Sequence, residues 1–159
     1  MKSPEESVVI MTELVLPNDT NYLGNLLGGR LMHWVDIAAA LSAQRHSGKV
    51  CVTASVDEIS FNEPIKLGHV VHIRSVLTRA FRTSMEVYVE VWREDPLHGS
   101  RARTSEAYLT FVAIDQYGKP LPAPQLEPIT DDEKVRFEEA AIRRENRLRA
   151  RETMKALRG

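Results

Sequence analysis

Only one cysteine, Cys51, occurs in 159 residues. No intrachain disulfide can form, and a reducing cytoplasm is the natural setting. Charge of neither sign dominates. Lys plus Arg number 21 against 22 Asp plus Glu, a formal net charge of −1, which gives no reason to expect nucleic acid or a membrane as partner. No apolar run reaches the roughly 20 residues that span a bilayer. The first residues, MKSPEESVVI, carry acids where an export signal has basic residues and then a long apolar core. The motifs of several chemistries are also missing: a G-x-S-x-G elbow, H-E-x-x-H, C-x-x-C, a phosphate loop, a dinucleotide fingerprint. His33, His46, His69, His72 and His98 are scattered, so a metal site is not expected. Cys51 stands between valines and reads as a small apolar strand residue rather than a nucleophile. Acid–base chemistry without a cofactor is what remains, in a chain of single-domain size.

The pattern that is present predicts a mixed α+β chain. Residues 7–16 (SVVIMTELVL) read as a strand and PNDTNYLGN as a loop. From Gly28 or Gly29 to about His46 the residues favour a helix, ended by Ser47-Gly48. Leu31, Trp34, Val35, Ile37 and Leu41 spread round that helix, so it is expected to be buried on most sides. Strands are expected at 50–60, 69–81, 84–94 and 101–115. In the third of these, Val87, Val89 and Val91 alternate with Glu86, Tyr88 and Glu90, which predicts one wet face. DPLHGS is a hairpin turn, QYGKP ends the last strand, and Pro64 stiffens the loop FNEPIKLG. A proline-rich connector at 120–128 leads to a capping box at Thr130–Glu133 and a last helix with few apolar residues, acidic at its start and rich in arginine later. Short links between consecutive strands predict an antiparallel sheet. A sheet covers only one side of a helix, so a helix apolar all round predicts an obligate dimer.

Asp36 is the residue that needs explaining. Carboxylates are rarely buried without a partner or a task, and on this helix only His33 stands close enough in sequence to pair with it. It is a candidate catalytic base, the plain alternative being an acid held by His33 or by backbone amides. Gly28-Gly29 opens the helix. The first amides there are unpaired and lie at the positive end of the dipole, where they suit an oxyanion; the plain alternative is a tight turn into the helix. Asn21, before the glycines, can orient a water or a carbonyl, or serve as a turn residue. The basic run Arg143, Arg144, Arg147, Arg149, Arg151, Lys155 and Arg158 suits either a phosphate-bearing ligand or a solvated helix end.

D-T-N-x-x-G-N-x-x-G-G, followed by an apolar helix with an internal Asp, resembles the hotdog-fold acyl-CoA thioesterases, in the branch of the cytosolic acyl-CoA hydrolases and the YciA-like enzymes. VTASVDEISFNEPIKLG and FRTSMEVYVEVWRED resemble strands of that family, and the likeness runs from about residue 7 to the arginine-rich tail. It implies a long central helix wrapped by an antiparallel sheet: a hotdog domain over 1–125, with 126–159 as a charged helical extension of the same domain. It also implies hydrolysis of acyl-CoA to a free acid and coenzyme A, without a cofactor, by a homodimer assembled into a homohexamer. The family's catalytic pair falls on Asn21 and Asp36, one from each of two facing subunits. The amide of Gly29, and that of Gly28, would hold the carbonyl oxygen, and the coenzyme A contacts fall on Arg82, Thr83 and Ser84. Where many members carry a His before the glycine pair, this chain has Leu27. Two rival readings on the same fold are a non-catalytic acyl-CoA-binding regulator and a hydratase that would use His33 with Asp36.

Overall fold

The computed structural model describes residues 1–57 and 59–159. Five strands, β1 (Val9–Leu14), β2 (Val50–Asp57), β3 (Val70–Ala80), β4 (Ser84–Asp95) and β5 (Ser100–Ile114), pair in the order β1-β3-β4-β5-β2, and every pairing is antiparallel. Helix α1 (Gly28–Ser47) lies on one face of the sheet and α2 (Asp131–Arg158) on the other. All expected elements are present, with shifts of a few residues at their ends. The first strand is shorter than 7–16, because Pro4–Ser7 forms a 3-10 turn. Of the strand expected at 50–60, Glu58 lies outside the described residues.

Local chemistry sets the boundaries. Gly48 closes α1 in the left-handed region, at φ +67, a conformation glycine takes without steric cost. Thr130 Oγ1 accepts the Glu133 N–H at 3.1 Å while the Glu133 carboxylate accepts the Thr130 N–H at 3.0 Å, the reciprocal capping box the sequence predicts. Leu31, Trp34, Val35, Ala38, Ala39 and Ala43 of α1 pack onto Ile73, Val87, Val89, Leu109 and Phe111 of the sheet. A buried polar bridge fixes the helix's position: Ser75 Oγ donates to the Ala38 carbonyl at 2.8 Å and lies 2.6 Å from Ser42 Oγ. The opposite side of α1 is open in the single chain, where Ile37 and Leu41 are 37% and 39% exposed.

The wet face expected on β4 is roofed. Glu86 and Tyr88 are each 2% exposed, because α2 crosses them. The helix meets the sheet through arginines: Arg143 grips Glu86 at 2.9 and 2.8 Å and stacks over Tyr108, Arg147 reaches Asp57 at 2.9 Å, and Arg136 stacks over Tyr88. Ala140 is the one residue of α2 that is fully covered. Arg143 and Arg147 are therefore neither solvated nor free for phosphate.

At the far end of α1, His46 is 1% exposed. Its Nε2–H donates to the Pro124 carbonyl at 2.6 Å, and its buried Nδ1 has no partner. Burial holds the imidazole below its ordinary value of 6.5. This contact ties α1 to the proline-rich connector.

Removing the arginine of a buried pair strands its carboxylate. Arg143→Met should lower the unfolding free energy by about 3 kcal/mol, measured by urea denaturation at fixed protein concentration. In a double variant with Glu86→Gln the loss should be smaller than the sum of the two single losses. A second outcome concerns pH. A neutral buried imidazole favours the folded state above the ordinary imidazole value, and the benefit disappears below it, because the unfolded chain takes up the proton first. Urea midpoints should fall from about pH 7 to about pH 5, and His46→Gln should flatten that fall.

Candidate active site

The loop before α1 folds around Asn21. Its N–H donates to the Asn25 carbonyl at 2.9 Å, and the Gly24 N–H donates back to the Asn21 carbonyl at 2.9 Å. Gly24 takes φ +79, which explains the glycine three positions after Asn21. The side-chain Oδ1 of Asn21 accepts from the N–H groups of Leu23 at 3.0 Å and Asn25 at 3.2 Å. The carboxamide oxygen is thus occupied, and what Asn21 has left to offer is its NH2 donor. Asn21 lines a cavity of about 360 Å³ together with Asn25, Leu26, Gly28, Leu31 and Phe61.

Gly28 and Gly29 are the first two residues of α1, after Leu27 in extended conformation. Neither has positive φ. A methyl group on Gly29 would meet nothing within 4 Å, and one on Gly28 would make ordinary contact with Phe61. A strained turn therefore does not account for the pair. Their amides have no intrahelical acceptor, and no side chain caps them. Donors are left pointing out at the positive end of a 20-residue helix.

Asp36 is half-buried in the single chain, less enclosed than its neighbours in sequence suggest. Its Oδ1 accepts the Thr53 hydroxyl at 2.7 Å. Among the described residues it has no ion pair and no hydrogen bond to His33, which points to solvent. Thr53 is the partner that the sequence reading missed. The signal was the period of two on β2: Cys51, whose Sγ lies 3.3 Å from Ser47 Oγ, and Thr53 both face α1. Burial raises the Cys51 thiol above its ordinary value, which suits a quiet strand residue.

One chain does not bring all the candidates together. Asn21 and Gly28 share a cavity, while Asp36 is eight residues beyond Gly28, about 12 Å along the helix, and is not part of that cavity's wall. Arg82 and Thr83, with Ser84, form the β3–β4 turn, closed by the Phe81 N–H donating to the Ser84 carbonyl at 2.7 Å. Ser105 in the cavity wall pairs with Val91, and Val91 with Ile73. From Ile73 to the end of β3 is roughly 23 Å. Among the described residues no three His, Cys, Asp or Glu side chains cluster as a metal would require.

A thioesterase superfamily model matches residues 23–99. Bacillus subtilis YkhA, described as an uncharacterized acyl-CoA thioester hydrolase, is 39% identical over 95% of this chain and 90% of its own length. The chain belongs to the thioesterase superfamily. Mouse acyl-coenzyme A thioesterase 11 is 42% identical over 98% of the chain, which spans only 26% of that longer protein. Among solved structures, an apo-hexameric acyl-CoA thioesterase superposes with a TM-score of 0.89 at 44% identity, covering 93% of this chain and 95% of that one. The acyl-CoA hydrolase of Staphylococcus aureus, solved with butyryl coenzyme A and coenzyme A, superposes with a TM-score of 0.86 at 34% identity, over 99% of each chain. That hydrolase has also been solved with alanine in place of an Asn, an Asp and a Thr. Its Asn and Asp stand 15 positions apart, and its Asp and Thr 17. The same intervals separate Asn21, Asp36 and Thr53.

If no backbone constraint requires the glycine pair, Gly29→Ala should leave the unfolding free energy unchanged or raise it, by up to about 1 kcal/mol. Thermal and urea unfolding of the variant check this; a loss of more than about 1 kcal/mol would return the pair to a structural role.

Proposed function

We propose that this thioesterase-superfamily chain hydrolyses acyl-CoA to a carboxylic acid and coenzyme A, in sites shared between two subunits. The observation that carries the reading is the open start of α1: two unpaired amides, the first of them on a residue that lines a cavity, on a helix that also carries a carboxylate held by a single hydroxyl.

The thioester carbonyl lies over the amides of Gly28 and Gly29 of the subunit that supplies Asn21, opposite the Asp36 of the other subunit, and these amides hold its oxygen as negative charge grows. One such donor is worth about 3 kcal/mol of barrier. Asp36 takes a proton from the attacking water, with direct attack by the carboxylate as the alternative. Thr53 fixes Asp36 through Oδ1 and leaves Oδ2 for the water. Asn21 of the facing subunit donates from its NH2 group, since its oxygen is engaged in its own loop. The 12 Å between Gly28 and Asp36 within one chain supports a site completed by a second subunit. The open stripe of Ile37 and Leu41 and the unpaired edge of β2 offer the contact surface. Assembly of such dimers into a homohexamer, with the Arg82-Thr83-Ser84 turn of another subunit meeting the coenzyme A moiety, completes the proposal. No cofactor or metal enters this scheme, because coenzyme A is part of the substrate. A reducing, cytoplasmic setting suits the single free thiol.

The hydratase alternative would need His33 to work with Asp36, and Asp36 is bonded to Thr53 instead. A regulator that only binds acyl-CoA would have no use for a positioned carboxylate.

Thiol release from acyl-CoA, read with Ellman's reagent, separates hydrolysis from hydration and from binding. Asp36→Asn should cut kcat by at least about a hundredfold in a chain that keeps its assembly; undiminished turnover would remove Asp36 from the chemistry. Gly29→Ala should lower kcat without lowering stability. Equal mixtures of refolded Asn21→Ala and Asp36→Ala chains should recover about a quarter of wild-type activity, one intact site in each of the mixed dimers that make up half the population. Zero recovery in verified mixed dimers would place the site within one subunit.

A further inference from the structure

Phe61 stands in the wall of the cavity at the start of α1. The ring carbons Cζ and Cε2 of Phe61 lie 3.7 and 3.8 Å from the position a Cβ would take on Gly28. The aromatic ring is therefore within one van der Waals contact of the turn that presents the free amides. On its far side is a second, apolar crevice of about 10 Å³, at most the space of one water. The walls of this crevice include Met32, Val35, Ile59 and Val91, and Leu31, Phe61 and Ser105 belong to both spaces. Phe61 is itself 54% exposed. It is a partition standing in the mouth rather than a member of the packed core, so shortening it opens a passage without hollowing the interior.

We propose that Phe61 sets the length of the acyl group. This rests on the hydrolase reading above. A chain that leaves the thioester carbonyl toward the interior meets the ring after a few carbons, and the closed crevice behind it offers no room to continue. The substrate class is short straight-chain acyl-CoA, with about two to four acyl carbons, since each buried methylene is worth about fourfold in binding where it fits and nothing where it does not. The crevice is a blocked extension of the same pocket with a mostly apolar lining, Ser105 and Glu106 being its polar members.

The test measures kcat/KM of the assembled enzyme for acetyl-, butyryl-, hexanoyl-, octanoyl- and decanoyl-CoA, with wild type, Phe61→Ala, Phe61→Leu and Phe61→Trp. Wild type should lose at least about tenfold between butyryl- and octanoyl-CoA. The octanoyl-to-acetyl ratio should rise at least about tenfold in Phe61→Ala, rise less in Phe61→Leu, and fall in Phe61→Trp. If thioesters are cleaved but the ratio is the same in all four chains, Phe61 is no partition and the inference fails while the hydrolase reading stands. If wild type cleaves none of the five, the hydrolase reading fails and this inference with it.

Discussion

A helix laid on one sheet is covered on one side. Helix α1 has apolar residues on two. Leu31, Trp34, Val35, Ala38 and Ala39 are taken up by the sheet, while Ile37 and Leu41 are left facing water beside an unpaired strand edge. That unmet demand organises the rest of the molecule. It calls for a second subunit, and it leaves Asp36 half-buried on the side where that subunit would lie. The helix's first amides are left without an intrahelical or side-chain acceptor, beside a cavity that Asn21 and Asn25 also line. The proposed sharing of the site between chains rests on the same geometry, since Gly28 and Asp36 of one chain stand about 12 Å apart along the helix.

Much of this was legible in the residues. The period of two in β4, the capping box at Thr130 and the Gly48 stop each act locally, and local signals survive tertiary packing. Asp36 stood out because an ionisable group on an apolar helix contradicts its surroundings. The roof over β4 was not legible. Glu86 and Tyr88 alternate with valines as wet-face residues do, and nothing in that pattern tells of a helix arriving from 57 positions later with Arg143 to meet the carboxylate. Thr53 was missed for a related reason. Its bond to Asp36 joins a helix to a strand across a turn, and the period of two on β2 tells which residues face α1 but not which of them Asp36 meets. The Gly28-Gly29 pair marks the helix start, and neither glycine has the positive φ that a tight turn would need.

The two faces of the sheet are built on different chemistry. Inward, toward α1, contact is apolar and close-packed, with the Ser42–Ser75 bridge to hold position. Outward, toward α2, contact is made by guanidinium groups over tyrosine rings and against carboxylates. The inner arrangement gives cohesion that is indifferent to direction. The outer one gives register, because a bidentate arginine fits its carboxylate in few orientations.

One consequence concerns what happens when the outer layer comes away. A lid glued on by oil leaves a sticky scar when it is peeled off, and such scars draw molecules into clumps. Here the uncovered plane would show carboxylates and threonines beside the rings of Tyr88, Tyr108 and Phe81. Lifting α2 would therefore uncover a mixed polar and aromatic surface, where lifting α1 would uncover hydrocarbon.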